Sequence, residues 1–83
     1  MNIPTSNRFA VITGASSGIG YELARQFGLN GFDLLIVSSS ERIRDAARHL
    51  MESGFNVMSV QADLATREGT EDLYRAIQSA GRP

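Results

Sequence analysis

The chain reads as an α/β protein: a parallel three-stranded sheet, strand order 3-2-1, with crossover helices, half of a three-layer Rossmann-like fold. Three observations predict this. Three short apolar runs are each followed by a segment of helical periodicity. Asn30-Gly31 and Ser53-Gly54 close the first two helical segments, because these residue types accept the conformation a helix stop needs. Nothing in the pattern marks an antiparallel hairpin. The order β-α-β-α-β-α therefore implies parallel strands joined by right-handed crossovers, with helices on the faces of the sheet.

Residues 1–7 are polar, contain Pro4 and read as a loose lead-in. Residues 8–13, RFAVIT, are apolar and partly β-branched, as a buried strand should be. The glycine-rich stretch TGASSGIG, residues 13–20, follows at once and opens the first helical segment, IGYELARQFGLNG. There Ile19, Leu23 and Phe27 recur every four residues, so they share one helical face, and that face is expected to pack on the core.

FDLLIV, residues 32–37, is the second strand. The helix over residues 40–53 turns Ile43, Ala46, Ala47, Leu50 and Met51 to the core and Arg42, Arg44, Asp45 and Arg48 mostly to solvent. Ser38 or Ser40 is placed to cap it, and Glu41, three residues after Ser38, would complete a capping box. FNVMSV, residues 55–60, is the third strand, and Thr66 caps a last helix carrying Leu73, Ala76, Ile77 and Ala80.

Composition narrows the function. Eighty-three residues make one domain at most, spanning 1–83 here. A net charge of -1 without a basic block argues against nucleic acid as a partner. No apolar run approaches membrane-spanning length, and MNIPTSNR lacks the pattern of a signal peptide. The chain has no cysteine, which removes disulfides and thiolate metal sites and fits the cytoplasm. All eight basic residues are arginine, so there is no lysine.

The glycine stretch carries the chemistry. A helix N-terminus leaves several backbone N–H groups without partners and bears about half a positive charge. A phosphate set there is both hydrogen-bonded and charge-matched. Gly14 suits the tight turn, Gly18 lets a pyrophosphate approach the main chain, and Gly20 lets the helix lie close on the strand. Ser16 and Ser17 offer hydroxyl contacts beside them, and Ile19 stands between the last two glycines. Thr13 reads as a brace for the turn. A Walker A loop is excluded, because its lysine is missing and the spacing differs.

TGASSGIG matches every fixed position of the T-G-x-x-x-G-x-G motif, and the chain resembles the short-chain dehydrogenase/reductases from its first strand onward. Asp63-Leu64 stand where that family has an acidic and an aliphatic residue after the third strand. The resemblance implies that Asp63 helps hold the adenine ring. It also implies a nicotinamide cofactor. No carboxylate stands at the end of the second strand, where Ser38, Ser39 and Ser40 lie, and Arg42 follows one turn later. This favours NADP(H), with NAD(H) as the alternative.

The family's chemistry further needs a tyrosine, a lysine four residues after it, a serine and an asparagine. Tyr21 is followed at that spacing by Arg25 and Tyr74 by Gln78, and neither pair fits. His49 reads as a solvated surface residue. The chain is expected to be the first third of a reductase, truncated and inactive alone. Strand 1 would then be an exposed edge, and a homo-oligomer formed through it is expected. Two further readings stay open: a stand-alone module that senses the dinucleotide, and a remnant that only self-associates.

Overall fold

The computed structural model describes residues 8–80; the lead-in expected over 1–7 lies outside them. Six elements alternate along the chain: β1 (Phe9–Thr13), α1 (Gly18–Leu29), β2 (Asp33–Ser38), α2 (Ile43–Glu52), β3 (Val57–Gln61) and α3 (Arg67–Ser79). The strands form one parallel sheet with β2 in the middle. Val11 pairs with Leu35 and Leu35 with Met58, which sets the register across all three strands. The α/β class and the strand order are those expected.

Pleating decides which side chains meet. Ile12, Leu34, Ile36 and Val57 point to one face and join Ala24 of α1 with Ile43, Ala46, Ala47 and Leu50 of α2 in a single buried cluster. Leu35 and Val37 point the other way and are also fully buried. α3 lies on that second face, with Leu73, Ala76, Ile77 and Ala80 half-buried along it. Because β2 is covered on both sides, its sequence is a continuous apolar run rather than an alternating one. Full burial of each of its large side chains stabilises the fold by about 2 kcal/mol.

α1 departs from the expected packing. Ile19 is 88% exposed and Leu23 47% exposed, and of that stripe only Phe27 packs on the core. The face turned to the sheet is instead made of Gly20, Ala24 and Gly28. A Cβ on Gly20 would overlap the carbonyl oxygen of Gly14, and a Cβ on Gly28 would stand 2.7 Å from the Phe55 ring. Hydrophobic periodicity selects large side chains, but this helix sits too close to its strands to place large side chains beneath it. Phe27 then meets Phe32 edge-on at 4.9 Å, and Arg8 lies over Phe32 at 5.9 Å, which anchors the end of α1 to the approach to β2.

α2 differs in two details. It begins at Ile43 with Arg42 as N-cap, and no side chain caps it. Ser38 and Ser40 spend their hydroxyls on the turn before the helix, so the expected capping box does not form. Met51 is half exposed rather than packed. Thr66 does cap α3, accepting from the Gly69 N–H at 3.0 Å.

Two substitutions separate the observed packing from the expected one. Leu50→Ala should cost about 2–5 kcal/mol in denaturant unfolding, enough to unfold a domain this small. Ile19→Ala should stay within about 0.5 kcal/mol of the parent, as for a surface residue.

Candidate functional site

All three strands end on the same side of the sheet, so the turns that follow them gather there. They enclose a cavity of about 280 Å³ lined by Gly14, Val37, Ser38, Ser39, Ala62, Asp63, Leu64 and Ala65. Two larger clefts, about 350 Å³ each, lie elsewhere. One sits among Gly31, Phe32, Gly54 and Phe55 at the opposite ends of the strands, and the other beside Arg8, Leu23 and Phe27. Neither gathers the residues that the motif singles out.

The turn after β1 is shaped by backbone constraints. Gly14 and Gly18 both have φ +66, a left-handed conformation that suits glycine. Between them Ala15 is fully buried, and its N–H donates to the Val37 carbonyl at 3.3 Å, which ties this turn to the end of β2. Gly20 brings α1 against the Gly14 carbonyl. Ser17 caps α1 only by position: its backbone is extended, its side chain makes no capping bond, and the first turn carries no acidic residue. Beyond its chain neighbours and the backbone of its own helix, no atom lies within 4 Å of the point where a Cβ on Gly18 would stand. The N-terminal dipole and the donors of the first turn are therefore not taken up by a side-chain cap.

The serines divide their work. Ser38 Oγ donates to Ser16 Oγ at 3.2 Å and accepts from the Ser40 N–H at 3.1 Å. It thereby links the turns after β1 and β2. Ser40 Oγ accepts from the Arg42 N–H at 3.1 Å and so shapes the approach to α2. Ser39 is exposed on the cavity wall, and Gln61 Nε2 donates to its carbonyl at 3.4 Å. Arg42 is exposed and enters no ion pair among the described residues. Asp63 Oδ1 accepts from the Ala65 N–H at 2.9 Å, an Asx turn that presents the carboxylate beside Leu64.

The fold thus brings Gly14, Ser38, Ser39, Asp63 and Leu64 into one cavity and joins Ser16 to it. Ser17, Gly18 and Ile19 stand at the exposed opening turn of α1. Gly20 packs beneath, and Ser40 and Arg42 lie on the approach to α2. Sequence reasoning passed over Ala15, Ala62, Ala65 and Gln61. Their only signal is adjacency to the motif residues, and small size in the case of the alanines. Glu22 belongs to α1 outside the cavity. There Arg25 grips it at 3.0 and 2.7 Å with help from Gln26, which holds its carboxyl down to about 2.

Known proteins resemble this chain in sequence and fold. The short chain dehydrogenase family model matches residues 8–82. An L-xylo-3-hexulose reductase of Hypocrea jecorina is 42% identical over 67 residues, which are 75% of this chain and 22% of that protein. The oxidoreductase YohF of Escherichia coli is 40% identical over 76 residues, covering 88% of this chain and 30% of its own. Among solved structures, an L-sorbose reductase from Gluconobacter frateurii, complexed with NADPH and L-sorbose, superposes with a TM-score of 0.83 at 37% identity, over 93% of this chain and 31% of that one. A short chain dehydrogenase/reductase from Burkholderia phymatum in complex with NAD superposes with a TM-score of 0.84 at 26% identity, over 95% of this chain and 28% of that one. The chain therefore spans between 22 and 31% of the length of these four proteins.

The Ser38 hydroxyl joins the turns after β1 and β2 side chain to side chain. Ser38→Ala should lower stability by about 1 kcal/mol in denaturant unfolding, since it leaves the Ser40 N–H and the Ser16 hydroxyl without this partner.

Proposed function

The chain belongs to the short-chain dehydrogenase family, and on that premise we propose that residues 1–83 form a nicotinamide dinucleotide-binding segment. The adenosine half occupies the cavity at the strand ends, and the pyrophosphate rests on the opening turn of α1. The observation that carries this reading is the continuity of two features. A cavity walled by Gly14, Ser39 and Asp63 opens beside a helix N-terminus that no side chain caps. The residues fit the ligand. The space over Gly18 suits a phosphate, and the Asp63 carboxylate is an acceptor for the exocyclic amine of adenine. Gly14, Ser16, Ser17, Gly18 and Ile19 border the pyrophosphate, and Leu64 packs on the ring.

NADP(H) is the favoured form. At the end of β2 Ser38 and the exposed Ser39 stand where a carboxylate would bond a ribose and repel a 2′-phosphate, and with the Ser38 proton donated to Ser16 it is the Ser39 hydroxyl that is offered. Arg42 stands exposed on the same turn, and Ser40 holds its backbone in place. The bound cofactor supplies or accepts hydride. This chain's part is to bind and orient it, because no lysine and no suitably spaced tyrosine are present to handle the proton. We accordingly propose no catalysis by these 83 residues alone. A cytoplasmic setting suits both the cysteine-free sequence and the cofactor; among the described residues no helix is long and apolar enough to cross a membrane.

Calorimetry on the chain with each cofactor tests this. NADPH should bind more tightly than NADH. Arg42→Ala should weaken NADPH about tenfold, the order expected for one charge-assisted hydrogen bond, and leave NADH nearly unchanged. Absence of heat with either cofactor would reject the reading.

The partner we propose is a second copy of the chain. In the sheet of described strands β1 is an end strand, and Val11 on it is 38% exposed. Antiparallel pairing of two β1 strands about a two-fold axis would extend the sheet to six strands. Light scattering on a size-exclusion column should give twice the mass of one chain, and a stable monomer would overturn the pairing.

A further inference from the structure

Gly69 is the one buried residue of α3, in the first turn of the helix. Helix propensity argues against glycine there, since alanine is more favourable by about 0.8–1.0 kcal/mol in a helix interior. The contact beneath it explains the choice. A Cβ on Gly69 would overlap the carbonyl oxygen of Asp63, with the carbonyl carbon at 2.6 Å and the Asp63 nitrogen at 3.0 Å. Every one of those atoms is backbone, so no side chain can swing aside. An added methyl group must push the Asp63 turn away from α3 or push α3 away from the sheet.

Thr66 holds the same turn from the other side. Its Oγ1 donates to the Asp63 carbonyl at 2.8 Å and accepts from the Gly69 N–H at 3.0 Å. The Thr66 N–H donates to that same carbonyl at 3.1 Å. The Thr70 hydroxyl donates to the Thr66 carbonyl at 3.0 Å and shares its proton with the Leu64 carbonyl at 3.3 Å. Asp63 and Leu64, which form one wall of the cavity, are therefore seated directly on the first turn of α3.

We infer that Gly69 and Thr66 are positioning residues, which set the height of the Asp63-Leu64 wall and so the fit of the adenine ring. This rests on the dinucleotide reading above. Neither residue touches the ligand; both act through the Asp63 backbone.

Calorimetry with NADPH and with ADP on the whole chain provides the test, with far-UV circular dichroism to confirm folding. Gly69→Ala should weaken both ligands about tenfold, although a residue that was only helical would gain stability and bind unchanged. In an Asp63→Ala background the same substitution should cost less than in the parent, because the ligand-facing carboxylate it displaces is already gone and only the Leu64 side of the wall is left to misplace. Thr66→Val should weaken both ligands as well, and Thr66→Ser should restore them by keeping the hydroxyl. If Gly69→Ala fails to fold, the Val and Ser pair at Thr66 decides. Parent-level affinity in Gly69→Ala or in Thr66→Val, or additive losses with Asp63→Ala, would overturn the inference and leave the dinucleotide reading standing. A parent chain that binds neither ligand would remove the dinucleotide reading and this inference together.

Discussion

The approach of α1 to the turn that precedes it constrains everything else in this small domain. Gly20 lets the helix backbone lie against the Gly14 carbonyl, and no other residue type leaves room for that contact. Once the helix is that low, its underside must be small, and Ala24 and Gly28 continue the seam. The same closeness seats the first turn of the helix on the Gly14 turn, which lines the cavity. Packing and the shape of that turn are thus two outcomes of one backbone contact.

α3 repeats the device with a different element. Gly69 lies against the Asp63 backbone much as Gly20 lies against Gly14. In each case a strand ends, the chain turns, and the next helix returns close enough that its own first turn supports that turn. Two walls of the cavity are built this way. The third, after β2, is built from hydroxyls: Ser38 bonds Ser16 across the gap and also accepts from the Ser40 N–H. Backbone contacts hold a fixed distance, whereas a serine turn can adjust.

Burial is distributed unevenly around this frame. β2 is covered on both faces and supplies Leu34, Leu35, Ile36 and Val37 to the interior. β1 and β3 flank it and keep Val11 and Met58 each 38% exposed. On α1, Ile19 and Leu23 face outward although they are among its most apolar residues.

By itself the sequence determined the order of the elements, the parallel sheet, the helix stops and the glycine motif, because each of these is written in local chemistry. Strand-like runs, glycine at positive φ and the Thr66 cap depend on neighbours a few residues away. Asp63 and the serines were legible as candidates for the same reason. Tertiary structure alone decided which face of α1 is buried, since that depends on how near the helix lies to the sheet and not on the spacing of its large residues. It also decided that Ser38 and Ser40 shape a turn instead of capping α2, and that Gly69 supports Asp63. Those outcomes are set by distances between backbones that meet only after folding, and periodicity carries no information about them.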